Sequence, residues 1–177
     1  MGTTAPLDSA TFRRWMGRWA TGVSVVTARE GDLDAGLTVN ALLSVSLAPP
    51  SLLISLMREA DTTPIIERSG RFAVNFLAAD QRSVSARFAR NDPPAEKFRA
   101  LPVHRSPGGL AFLEDTLGAV ECRVVSKTPA YDHLLILGEV VHQELGRDGL
   151  PLVFFRSGYA EAEGTDTLRL PPPRAGP

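Results

Sequence analysis

The sequence predicts a mainly β, antiparallel barrel or sandwich with a few helices, and three features carry that reading. Short β-branched runs recur along most of the chain, separated by Pro- and Gly-rich punctuation. Helical patterns are few and short, and they do not alternate with strands in the βαβ rhythm of a parallel sheet. No segment repeats elsewhere. The 177 residues suit one domain, since domains run to roughly 100–200 residues. We assign residues 8–160 to that domain and residues 161–177, with Pro171-Pro172-Pro173, to a flexible proline-rich tail.

In order along the chain, residues 8–20 form an amphipathic helix. Phe12, Trp15, Met16 and Trp19 fall at i, i+3, i+4 and i+7, a stripe expected to face the core, while Arg13, Arg14 and Arg18 stay off it. Asp8 is its N-cap, and Gly22 marks the exit. Residues 22–29, 37–47 and 52–57 are strands, with Pro49-Pro50 between the last two. Asp61-Thr62-Thr63-Pro64 opens a short helix with hydroxyl caps and an early proline, ended by Ser69-Gly70. Residues 72–78 form a strand in which Asn75, among apolar neighbours, is expected to bond nearby backbone. Asp80 caps a second short helix with Val84 and Phe88 on one face. Residues 91–109 read as loop, with Pro93-Pro94, Pro102 and Pro107-Gly108-Gly109. Residues 118–127 alternate, Val120, Cys122 and Val124 against Glu121 and Arg123, and residues 134–145 and 152–155 complete the strands.

The bulk numbers exclude several classes. With 19 basic and 20 acidic residues there is no broad pull toward nucleic acid or an anionic membrane. No run of about 18 apolar residues offers a membrane span, and residues 1–6 lack the pattern of a signal peptide. Cys122 is the only cysteine, which excludes an internal disulfide, fits a reducing, cytoplasmic compartment and reads as core packing.

The familiar catalytic motifs are missing too. The sequence has neither a G-x-G-x-x-G turn nor a phosphate loop. His104, His133 and His142 lack zinc spacing, so no metal site is expected, and there is no G-x-S-x-G nucleophile elbow. So little acid–base equipment fits a reaction whose chemistry is carried by organic cofactors.

Residues 36–50, Gly36-Leu37-Thr38-Val39-Asn40-Ala41-Leu42-Leu43-Ser44-Val45-Ser46-Leu47-Ala48-Pro49-Pro50, carry a specific pattern. They resemble the G-[ML]-T-[VA]-[NS]-[SA]-x-x-S-[VL]-S-x-x-P-P signature of the flavin reductase-like family. Residues 12–27, residues 72–77 with Ala86-Arg87-Phe88-Ala89, residues 130–133 with Gly138-Glu139-Val140, and residues 151–159 resemble further family blocks in the same order. Together they span roughly residues 10 to 160. One departure stands out: Tyr131 replaces the glycine usual before Asp132-His133.

The resemblance implies an FMN-binding split β-barrel, a Greek-key antiparallel barrel with peripheral helices, forming a homodimer with flavin near the subunit interface. It implies an NAD(P)H-dependent reductase that passes hydride from NADH or NADPH to FMN or FAD and supplies reduced flavin to a partner monooxygenase. The flavin would be held by the positions matching Thr38, Val39, Asn40, Ala41 and Leu42, largely through main chain. Ser46, Ser55, Leu56, Asp61, Thr62, Arg87 and Phe88 would complete the flavin site, and His133 would bind nicotinamide. The physical reasons are that reduced flavin gathers negative charge that N–H donors can stabilise, and its phosphate wants hydroxyls and a cation, such as Thr62 at a helix start and Arg87. Two other readings fit the same residues: a non-catalytic flavin carrier, kept open by Tyr131, and a related barrel binding pyridoxal phosphate or haem.

Overall fold

The computed structural model describes residues 8–162, so most of the 161–177 tail lies outside the described residues. Its elements are α1 (Ser9–Met16), β1 (Thr21–Gly22), β2 (Ser24–Glu30), β3 (Leu33–Val39), β4 (Leu42–Leu47), β5 (Pro50–Met57), α2 (Thr62–Ser69), β6 (Arg71–Phe76), α3 (Arg82–Ala89), α4 (Pro94–Phe98), β7 (Val103–Arg105), β8 (Ala111–Leu113), β9 (Gly118–Ala130), β10 (His133–Leu145), β11 (Val153–Phe155) and β12 (Gly158–Ala160).

Seven strands form one sheet in the order β3-β2-β6-β9-β10-β5-β4, antiparallel throughout. Laid flat, its edges would stand about 29 Å apart at the usual strand spacing. Yet the two edge strands, β3 and β4, are joined only through Asn40 and Ala41, a link that spans at most about 11 Å. The sheet must therefore curl until its edges meet at that end. Because β3 and β4 share no ladder, the barrel stays split there.

Burial follows from the curl. Val26, Ile54, Phe72, Val74 and Ile136 fill the interior. Val25, Leu77, Phe88, Leu113 and Leu152 form a second cluster outside β2. With both faces covered, Ser24 to Thr27 are all buried, and the alternation expected of a half-exposed strand is lost there. Asn75 is fully buried and donates to the Val25 carbonyl (3.1 Å) while accepting from Leu113 N–H (2.8 Å), the backbone role expected of it. Cys122 is in the core; burial, with Glu121 beside it, pushes its thiol up to about 12.

Several local expectations change. Asp8 caps α1 by accepting from Thr11 N–H, but the helix ends at Gly17, and its apolar stripe faces outward, with Trp15 68% and Trp19 72% exposed. The 37–47 strand is broken at Asn40-Ala41. Neither Asp61 nor a hydroxyl caps α2, and the Thr63 hydroxyl donates to the Met57 carbonyl instead (2.7 Å). Gly70 does end α2, in the left-handed conformation. Asp80 pairs with Arg147 and leaves α3 without a side-chain cap. The 91–109 segment contains α4 and β7, which its prolines concealed. Among the described residues no helix is long and apolar enough to cross a membrane.

Candidate functional site

The break between β3 and β4 is where the chain offers polar groups to a ligand. Asn40 and Ala41 are exposed and stand outside the ladders. The Asn40 side chain makes no hydrogen bond to another described residue, while the Ala41 carbonyl accepts from Ser55 N–H (3.1 Å). Around them the groups are committed. The Thr38 hydroxyl donates to the Ser85 carbonyl (2.7 Å), and the Val39 carbonyl accepts from the Ser24 hydroxyl (3.0 Å). Leu42 packs on the core. Ser46 lies further along, and its hydroxyl accepts from Ala48 N–H within the turn to β5 (3.1 Å).

Strand register gathers other expected residues at the same end. Leu134 pairs with Leu56, Leu135 with Ser55 and His133 with Met57, so the start of β10, the end of β5 and the Asn40-Ala41 break are neighbours. Leu56 is in the core and can offer only main chain. Four residues beyond the end of β5, Asp61 is exposed at the start of α2 and Thr62 is buried. His133 is half-buried, with Nδ1 2.8 Å from an Asp132 carboxylate oxygen; that bond is the main reason the Asp132 carboxyl sits below its ordinary range.

Arg87 and Phe88 reach β3 from α3. Phe88 is buried, edge-on to Phe98 with centroids 5.1 Å apart. Its ring lies so close to Gly36 that a Cβ there would stand 2.8 Å from it. Phe88 is therefore a packing residue through its side chain. Arg87 donates to the Arg99 carbonyl (3.0 Å), tying α3 to the end of α4. Of the expected residues, the structure brings together Asn40, Ala41, Ser55, Leu56, Asp61, Thr62 and His133, with Thr38, Arg87 and Phe88 along β3; Ser46 lies apart.

Tyr131 adopts φ 57°, left-handed backbone that glycine takes without strain, in the turn between β9 and β10. Its side chain is exposed. It borders a cavity of about 610 Å³ with Met57, Arg58, Thr63 and Asp132.

Lys97 was missed in the sequence because its segment read as loop. It is buried at 7% exposure, and its Nζ donates to the Gly36 carbonyl (3.3 Å). Burial lowers its pKa, while nearby Asp61 and Asp92 favour its charge. The available signal was Pro93-Pro94 as a helix start.

Exposed polar groups at the Asn40-Ala41 break, a helix start just after β5 and a buried lysine bonded to β3 suit a flat polar ligand with an anionic tail. Comparison with known proteins specifies the class. The family described as "Flavin reductase like domain" matches residues 16–163. This chain belongs to the flavin reductase-like family. The reductase component of 4-hydroxyphenylacetate 3-monooxygenase from Thermus thermophilus is 38% identical over 148 residues, 84% of this chain and 93% of that one. FMN reductase (NADH) SmoA from Agrobacterium fabrum is 39% identical over 147 residues, 83% and 82% of the two chains. The solved structure of the NADH:FAD oxidoreductase SgcE6 from Streptomyces globisporus, in complex with NAD and FAD fragments, superposes with a TM-score of 0.85 at 26% identity, covering 94% and 100%. The split-barrel fold and the flavin reductase class implied by the resemblance both stand.

Proposed function

We propose that this flavin reductase binds FMN or FAD at the end of the sheet where Asn40-Ala41, Ser55, Thr62 and His133 converge, takes NADH or NADPH there, and releases reduced flavin to a partner monooxygenase. The break at Asn40-Ala41 carries the reading, because it holds an exposed amide with no partner among the described residues. Flavin and nicotinamide, when bound, supply hydride acceptor and hydride donor, so the chain needs no strong acid or base of its own.

The residues present fit those cofactors. The Asn40 amide and adjacent main-chain N–H groups hold the polar edge of the flavin ring and stabilise negative charge gathered there. Thr62, at the start of α2, and Arg87 supply hydroxyl and charge to the phosphate. With Nδ1 held by Asp132, His133 keeps Nε2 for the dinucleotide, orienting nicotinamide without transferring a proton. The carrier reading loses its basis, since the Tyr131 side chain is exposed.

The SmoA relative is named for FMN and the SgcE6 structure for FAD, so both flavins belong in the assay. A homodimer accounts for the outward stripe of α1, because contiguous exposed apolar surface marks an interface. Mixing the protein with FMN or FAD and NADH or NADPH without oxygen should bleach the visible flavin band. Absence of bleaching with every combination would end the reductase reading.

A further inference from the structure

Lys97 is the one buried lysine among the described residues. Burying an ammonium group is costly unless it is paired. Its single hydrogen bond, to the Gly36 carbonyl at 3.3 Å, is long for a charged donor and leaves two N–H groups. Asp61 and Asp92 lie near enough to favour its charge, yet neither forms an ion pair with it. The chain therefore holds a positive charge without a direct counterion, a state a bound anion would relieve.

Its location says which anion. Gly36 lies two residues before Thr38 on β3, and Thr38 leads into the Asn40-Ala41 break. Arg87 ties α3 to α4 through the Arg99 carbonyl, two residues beyond Lys97. Asp61 immediately precedes α2, whose first residue, Thr62, is buried with a hydroxyl that makes no hydrogen bond to another described residue. The Lys97 ammonium, bonded to β3, thus has the residue that precedes α2 near it, and Arg87 is tied to its own segment; a phosphoryl group takes such donors.

We propose that Lys97 binds the phosphate nearest the flavin ribityl chain, a group shared by FMN and FAD. The inference rests on the flavin site proposed above. Riboflavin, which has the same ring and no phosphate, separates the two ideas.

The test compares FMN and riboflavin affinities, read by quenching of flavin fluorescence, for the wild type, Lys97→Met and Lys97→Gln. Losing one charge-assisted contact should weaken FMN binding about 10- to 100-fold and leave riboflavin binding as in the wild type. Glutamine can still donate to the Gly36 carbonyl, so it preserves the local hydrogen bond if methionine prevents folding. A folded Lys97→Gln variant that weakens both ligands equally, or neither, overturns the assignment. A wild-type chain that binds neither flavin removes the ring site, and the phosphate site with it.

Discussion

Gly138 on β10 lies under the ring of Phe72 on β6, so close that a Cβ at residue 138 would stand 2.5 Å from Phe72 Cζ and 2.9 Å from Cys122 Cβ. Phe72 is fully buried and has no room to retreat. Gly138→Ala should cost about 1–3 kcal/mol through overpacking, several degrees of melting temperature for a chain of this size. Thermal unfolding followed by circular dichroism checks it, and an unchanged midpoint would mean the barrel interior is looser than this packing implies.

Glu121 is the buried acid of the outer face. Its carboxylate accepts from Arg71 (2.7 Å) and from Gly108 N–H (2.8 Å), holding the 106–109 turn against β9. Burial alone would raise its pKa, but bonds from Ser106, Gly108 N–H and Arg71 together outweigh it and hold the group below its ordinary value. A lowered folded pKa means stability that is present above the ordinary value and lost as pH falls through the folded one. Glu121→Ala should cost about 3 kcal/mol, and Glu121→Gln should flatten the acid limb of a stability–pH profile. An acid limb identical to the wild type's would show that other carboxylates control it.

The same two elements show how far the sequence could be read. Strand β9 was legible because Val120, Cys122 and Val124 alternate with Glu121 and Arg123, and β5 and β10 because they carry short apolar runs bounded by turn residues. The buried Glu121 was not, because a carboxylate in an alternating strand reads as solvent-facing until the 106–109 turn covers it. The Asn40-Ala41 motif was legible as a pattern, but the break itself was hidden because strand-forming residues run on both sides of it, from Leu37 to Leu47. Lys97 sat in a proline-rich segment whose prolines start α4. The outward stripe of α1 has the periodicity of a core helix, and periodicity does not say whether this chain or another covers it.

His104 bridges two carboxylates, Nδ1 to Glu114 and Nε2 to Glu144, each 2.8 Å away, fastening β7 to β10. Glu144 first and Glu114 second raise its pKa above the ordinary imidazole value. A raised folded pKa means stability that is full below the ordinary value and lost as pH climbs through the raised one. The ring is nearly half exposed, so solvent screens the effect and the contribution is about 0–1 kcal/mol. Proton NMR of the imidazole should show a raised titration midpoint that falls in Glu144→Gln. A midpoint unmoved by that substitution would refute the bridge.

The stripe of α1 predicts assembly. Phe12 and Trp15 on α1, and Trp19 just beyond its end, are large, apolar and mostly exposed, which suits a buried interface core. Trp15→Glu with Trp19→Glu should shift the proposed dimer toward monomer in sedimentation velocity while far-ultraviolet circular dichroism keeps its shape. A dimer that survives both charges would place the interface elsewhere, such as the exposed apolar residues Leu43 and Val45 of β4.

Asn40 and His133 share one end of the sheet but serve different cofactors in the proposed site, so their substitutions should separate. Asn40→Ala removes a donor to the flavin ring and should weaken flavin binding about 10-fold, the worth of one hydrogen bond to a charged or polarised group. His133→Ala leaves the Asn40-Ala41 break intact; flavin affinity should hold while the KM for the nicotinamide donor rises. Flavin titration and steady-state kinetics on each variant distinguish these effects. If His133→Ala weakened flavin and left the nicotinamide KM unchanged, the histidine would belong to the flavin side, and the approach of the dinucleotide would have to be redrawn around the cavity beside Tyr131.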